Sequence, residues 1–173
     1  MNGTILPIYL HPHPMLREIA TPVTKFDTTL KQTIANMQTT MLAAKGVGLG
    51  ATQVGIKQRI VLIDRRLGDE NRLRDENSEP EVQVYINPEI INESDQTSAW
   101  DMGCLSIPYM FTKVTSSDEV TLKYQDEDGK THQEVITGYY AAGVLHEIDH
   151  LNGKLFPDHL SRLKRDMFFK KYK

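Results

Sequence analysis

The stretch GYYAAGVLHEIDHLNG, residues 138–153, decides how this chain is read. Gly138 opens a helix and the Asn152-Gly153 pair stops it. Within it His146 and His150 are four residues apart, so they share one helix face with Cβ atoms about 5–6 Å apart. Two imidazoles at that separation can bind one metal ion. Glu147, beside the first histidine, then stands next to any water held there and can move a proton. The pattern is that of a metal-dependent hydrolase, and the third ligand decides which kind.

Working outward, the 173 residues suit one domain with a real core, and we expect a single catalytic domain over 1–173. With 39% hydrophobic and 25% charged residues and a net charge of −3, nothing global points to DNA or a membrane as partner. No apolar run reaches the roughly 18 residues of a membrane span, and the first residues lack the basic-then-apolar order of a secretory signal. The lone cysteine, Cys104, excludes an internal disulfide and suits a reducing compartment, so a cytoplasmic location is expected.

Helical spacing of Leu30, Ile34, Met37, Met41 and Ala44 predicts a helix from about Thr28 to Lys45, capped by Asp27 or Thr28 and ended by Gly46. The glycine-rich loop GVGLGATQ (46–53) follows, then a buried strand over Gln58–Asp64. Arg65 to Pro80, dense in charge and holding the near-repeat RLGDEN/RLRDEN, predicts a solvated, mobile excursion, either a tolerated insertion or a lid. Strands are expected over Val82–Ile86 and Glu89–Asn92 about an Asn87-Pro88 turn. A hairpin is expected from Glu119–Tyr124 and His132–Thr137, and a last helix from about Ser161. Strands and helices are segregated, which predicts an α+β fold with antiparallel sheets packed around the helix that carries HEIDH.

Downstream of His150 a third ligand is hard to find. The position a third histidine would take in HExxHxxGxxH is Phe156, which cannot bind a metal; His159, Asp158 and Asp166 lie beyond the helix stop. Upstream, Cys104 sits in WDMGCLSIP (100–108). A thiolate with two imidazoles leaves a fourth position open for water, the catalytic pattern. A metallopeptidase using a downstream carboxylate is the alternative.

GVGLGATQ (46–53), GCLS (103–106) and HEIDH (146–150), in that order, resemble the three signature motifs of peptide deformylases. Leu16-Arg17, Pro22-Val23 and Phe26-Asp27 are similar to that family's N-terminal segment, Asn87-Pro88 to a recurring strand-turn, and DHLNGKLF (149–156) to its last motif and extension. The resemblance implies an α+β fold and removal of the formyl group from the N-terminal formyl-methionine of nascent polypeptides. It implies Cys104, His146 and His150 as ligands of one divalent metal, ferrous iron natively, with nickel, cobalt or zinc able to take the site. Hydroxide formed from a water at the metal would attack the formyl carbon, with Glu147 as general base and then acid. The Gln53 amide and the Leu105 N–H would stabilise the developing oxyanion. Gly46, Gly48 and Gly50 would let the peptide lie against bare backbone, partly as an added strand. The substrate would be held by Val47, Gly48, Trp100, Gly103, Tyr139 and Ala142, with Gly143 beside them.

The chain also departs from the family pattern. Met102 stands where glutamate is usual and Phe111 where arginine is usual, so a Met102–Phe111 contact is expected in place of an ion pair. Gly50 replaces the usual alanine and Leu145 the common glutamine. These changes keep open a non-catalytic paralogue that binds N-terminal peptides. Asp149, off the histidine face, is expected to be structural, and His11, His13, His132 and His159 ordinary. The tail carries Arg162, Lys164, Arg165, Lys170, Lys171 and Lys173 against Asp166, so ribosome contact through this basic segment is expected beside a plain solvated helix end.

Overall fold

The computed structural model describes residues 2–75 and 77–172. Asp27 caps the first helix by accepting the Leu30 N–H at 3.0 Å, and α1 (Thr28–Ala43) buries the stripe Leu30, Ile34, Met37 and Met41. The glycine loop then pairs as a short strand, β1 (Gly48–Gly50), with the wholly buried β2 (Ile60–Asp64). β2 in turn pairs antiparallel with β3 (Val82–Glu93).

The structure corrects two expectations here. Asn87-Pro88 is not a turn. Asn87 has φ +51° inside one continuous β3, where the register shifts between Ile86 and Glu89. Its carboxamide accepts from the Val23 N–H (2.7 Å) and donates to Val23 O and Gln125 Oε1, so the bulge is held by side-chain bonds. Arg65–Pro80 is not a bare excursion either. It holds a 3₁₀ turn at Arg65–Gly68 and the short α2 (Glu70–Arg74). Leu67 is buried and Leu73 packs on the core, while Arg66 grips Asp64. Glu76, within that segment, lies outside the described residues.

After β3 come two strands that sequence pattern missed: β4 (Thr97–Cys104) and β5 (Ile107–Ser117), joined through Leu105-Ser106 as a two-stranded sheet. Only one face is apolar, and Thr, Ser, Asp and Gly interrupt the run, so the strand signal is weak. β6 (Glu119–Gln125) and β7 (Thr131–Thr137) form the expected hairpin and complete a five-stranded antiparallel sheet ordered β1-β2-β3-β6-β7. α3 (Gly138–Leu151) lies between the two sheets. Its Ala141, Val144, Ile148 and Leu151 join the main core with β2, β3, β6 and α1. Its His146 ring meets Phe156, which belongs to a second core of Leu16, Met102, Ile107, Val114, Leu155 and Phe168. Phe168 comes from α4 (Arg162–Lys171), capped by Ser161. The α+β architecture around the HEIDH helix is as expected. Among the described residues no helix is long and apolar enough to cross a membrane.

The end of α3 is strapped by the N-terminal segment. Gly153 sits at φ +69°, where a built Cβ would lie 2.5 Å from the Arg17 carbonyl oxygen, so only glycine fits. Arg17 donates to Gly153 O and pairs with Asp158, and the Ala20 N–H donates to Leu151 O at 2.8 Å. This fixes the turn of helix that bears His150.

Candidate metal centre and active site

Two of the three ligand residues need only the helix, and the third arrives on the β4–β5 hairpin. Cys104, His146 and His150 each present one ligand atom, and all three atoms lie within 4.8 Å of one another. Cys104 Sγ is 3.2 Å from His150 Nε2. Burial pushes the Cys104 thiol up to about 12, with the Glu147 charge adding to it. Burial likewise lowers His146 to about 4 and His150 well below the ordinary imidazole value. The imidazoles are therefore neutral and able to donate lone pairs, and the thiol needs a cation to surrender its proton. One sulfur and two nitrogens, converging in a buried pocket, fit a divalent metal of borderline softness.

Glu147 turns toward the same cavity. It is buried, its Oε2 has no hydrogen-bond partner among the described residues, and burial pushes its carboxyl up to about 8. Gly48 makes room for it: a Cβ there would be 2.3 Å from Glu147 Oε1. Gly50, in ordinary extended backbone, donates its N–H to Gln53 Oε1 at 2.8 Å. With its oxygen so engaged, the Gln53 carboxamide aims its NH₂ at Ser106 Oγ (3.0 Å) and, at longer range, Cys104 Sγ (3.5 Å). The Leu105 N–H makes no hydrogen bond among the described residues, and the Leu105 side chain lies over Gly46. The N-terminal segment pins both loops, with Tyr9 N–H donating to Gln53 O and His11 N–H to Ser106 O, each at 2.8 Å. Ser106 and this strap escaped sequence analysis, because neither lies in a spacing that a local pattern exposes.

A cavity of about 370 Å³ opens over this cluster. Val47, Gly48, Gly103 and Tyr139 line it with Gln53, Cys104, Leu105, His146 and Glu147, as expected. Three expected pocket residues do not. Trp100 stacks behind Tyr139 at 5.3 Å, supporting the wall without forming it. Ala142 lines a separate cavity of about 410 Å³ on the other side of His146. Gly143 faces the core, where a Cβ would meet Leu67 and Ile63.

The expected Met102–Phe111 contact is also overturned. Met102 pairs with Thr112 and is only 7% exposed in the second core, whereas Phe111, one residue along, is 72% exposed on the opposite face. Between the pairs Met102–Thr112 and Cys104–Ile107, β5 sets Pro108–Phe111 against the lone Gly103. The Phe111 ring closes down on Gly103 there: a Cβ on Gly103 would lie 2.4 Å from it. Downstream carboxylates stay out of the centre. Asp158 is held by Arg17, and among the described residues the only cluster that could hold a metal is Cys104, His146 and His150, without Asp158 or Asp166, so the metallopeptidase alternative loses its third ligand. None of the described residues of Arg65–Pro80 lines the cavity.

An α+β fold with a Cys-His-His centre beside a helical glutamate defines a metal-dependent hydrolase of the HExxH kind. The chain belongs to the polypeptide deformylase family, whose pattern matches residues 5–166. It is 41% identical over 169 residues to the peptide deformylase of Mesorhizobium japonicum, covering 98% of this chain and 92% of that one. It is 42% identical over 167 residues to that of Zymomonas mobilis, covering 96% and 92%. Among solved structures, a peptide deformylase from Legionella pneumophila superposes with TM-score 0.84 at 40% identity, covering 97% of this chain and 93% of that chain. One from Synechococcus elongatus, in complex with actinonin, gives 0.85 at 36% identity, covering 96% and 86%.

Proposed function

We propose that this chain, as one catalytic domain, hydrolyses the formyl amide at the N-terminal formyl-methionine of nascent polypeptides. The observation that carries the proposal is the buried Glu147 carboxylate, its Oε2 without a hydrogen-bond partner among the described residues, lining the same cavity as Cys104 and His146 of the converging ligand set. Cys104, His146 and His150 would hold one divalent ion, ferrous iron natively, with nickel, cobalt or zinc as substitutes. Bound there, the ion supplies a Lewis acid that acidifies water and polarises the formyl oxygen. Glu147 takes the proton from the attacking water and returns it to the departing amine as the C–N bond breaks, releasing formate. Gln53 Nε2 and the Leu105 N–H face the formyl oxygen, the former by trading its long contact to Cys104 Sγ. Val47, Gly48, Gly103 and Tyr139 receive the methionine side chain, and the peptide lies along the Gly46–Gly48 backbone as an added strand. The substrate is a product of translation and the lone cysteine is a free thiol, which together support a cytoplasmic location as part of this reading. Arg162, Lys164, Arg165, Lys170 and Lys171 of the tail would touch the ribosome; Lys173 lies outside the described residues.

The test is formate release from formyl-Met-Ala-Ser. The protein should be purified without oxygen and loaded with ferrous iron, beside a nickel-loaded sample, because ferrous iron on a thiolate oxidises readily. Turnover is expected in both and should be inhibited by actinonin. Glu147→Gln should keep the metal and lose turnover; Cys104→Ser should lose both. Full metal occupancy in the wild type without formate release would overturn the activity and leave a peptide-binding paralogue.

A further inference from the structure

β5 exposes two aromatic side chains near the centre, Tyr109 at 95% and Phe111 at 72%. Phe111 is a wall of two spaces at once. On one side it closes over Gly103 in the catalytic cavity. On the other it borders a groove of about 230 Å³ between β5 and α4, lined also by Met110, Leu160, Lys164, Met167 and Lys171. Lys164, Met167, Phe168 and Lys171 recur at helical spacing, so the groove takes one stripe of α4, while Arg162, Arg165 and Lys170 lie off it. Among the described residues no acidic side chain lines the groove. Tyr172 does not line it and instead packs edge-on against the His11 ring.

We propose that this groove binds the substrate chain downstream of the residues held in the catalytic cavity, and that it favours apolar and acidic side chains there. The proposal rests on the deformylase reading and names what that site prefers. Continuity is the first support, because Phe111 lines both the groove and the cavity. Size is the second: Lys164 to Lys171 spans about 10 Å of helix, the length of about three residues of extended peptide. Charge is the third, with two lysines at the rim and no acid to answer them. The floor suits varied sequences, since Met110 and Met167 are adaptable apolar surfaces. Exposed Phe111 and half-exposed Met167 gain from being covered.

The experiment compares three substrates on nickel-loaded protein: formyl-Met-Ala-Ser, the same sequence extended by Glu-Phe-Glu, and the same extended by Lys-Gly-Lys. The acidic-apolar hexapeptide should exceed the tripeptide about tenfold in kcat/KM, chiefly through KM, as two rim charge pairs and one apolar contact allow. That gain should shrink with salt, and the lysine hexapeptide should show none. The K164E/K171E double variant and, separately, M167S change only surface side chains. They should leave tripeptide turnover unchanged and remove most of the gain. Equal kcat/KM for all three substrates, or a gain that survives K164E/K171E, would overturn the proposal. Equal values together with K164E-sensitive dimerisation in sedimentation would assign the face to a second copy of the chain instead. No tripeptide turnover by the wild type would be a failure of the deformylase reading itself, and the groove assignment would fall with it.

Discussion

Gly48→Ala tests whether the Glu147 carboxylate must sit where the structure puts it. The methyl group would meet Glu147 Oε1 at 2.3 Å, Cδ at 2.9 Å and Cγ at 3.1 Å. Ordinary carbon contacts lie near 3.5 Å, so the carboxylate must withdraw by about 1 Å. The backbone of Gly48 cannot give way instead, because β1 is paired residue for residue with β2 at Ile63, Leu62 and Val61. A misplacement of about 1 Å at a proton-transferring group costs roughly 10²-fold in turnover. Overpacking of this kind costs about 1–3 kcal/mol of stability. Cys104, His146 and His150 are untouched by the methyl group, so metal content should stay near one per chain. The assay is kcat and KM on formyl-Met-Ala-Ser, with metal analysis and a thermal melt on the same preparation. A variant within threefold of wild-type kcat would refute the assigned position of Glu147. A variant that lost its metal would refute the claim that the clash acts through Glu147 alone.

Three further outcomes are expected. Gly153→Ala forces a left-handed alanine against the Arg17 carbonyl and loosens the strap below His150. The cost should be about 3 kcal/mol, a drop of roughly 6–12 °C in Tm, with weaker metal retention; an unchanged melt would remove the strap from the account. The Asp64 side chain is almost wholly buried, which by itself raises its carboxyl, but the Arg66 guanidinium and the Arg66 and Glu81 N–H groups outweigh this and hold it below the ordinary range. Its contribution is thus complete above the unfolded-state value and lost as pH falls through the lower folded value. Asp64→Asn should cost about 2 kcal/mol at neutral pH and flatten the acid limb of the stability profile; parallel acid limbs would count against it. Finally, because burial keeps the Cys104 thiol protonated up to about 12, nickel loading near pH 8 should release about one proton from it. Calorimetric enthalpies in buffers of different ionisation heat would measure that release, which should vanish in Cys104→Ser along with the binding.

What sequence analysis could see, and what it could not, divides along a physical line. The two histidines and Glu147 were legible because helical spacing is a local rule that no tertiary contact has to complete. Cys104 was legible as a thiolate in want of a site, and the family motifs supplied its partner. Pocket residues fared less well. Tyr139 and Ala142 are three apart on α3, yet one walls the catalytic cavity and the other a different one, since His146 stands between them. Trp100 and Gly143 failed for the same reason, being one layer behind or one face around from where spacing alone would put them.

Met102 and Phe111 show the limit most sharply. Seven positions separate Cys104 from Phe111, and a regular two-residue hairpin would decide by register alone which side chains meet across it. Here β5 inserts Pro108–Phe111 opposite Gly103, with Tyr109 at φ +65°, and no sequence period announces that irregularity. Its effect is to send Met102 inward to Leu16, Phe156 and Phe168 while Phe111 stays at the mouth of the site. Loss of the family's charge pair is therefore not one substitution made twice. Met102 adds apolar volume to the core that packs on His146 through Phe156, and Phe111 stands at the mouth of the cavity. The first side chain bears on the core and the second on the cavity surface. They should accordingly be separable by mutation, with Met102 variants moving Tm and Phe111 variants moving KM.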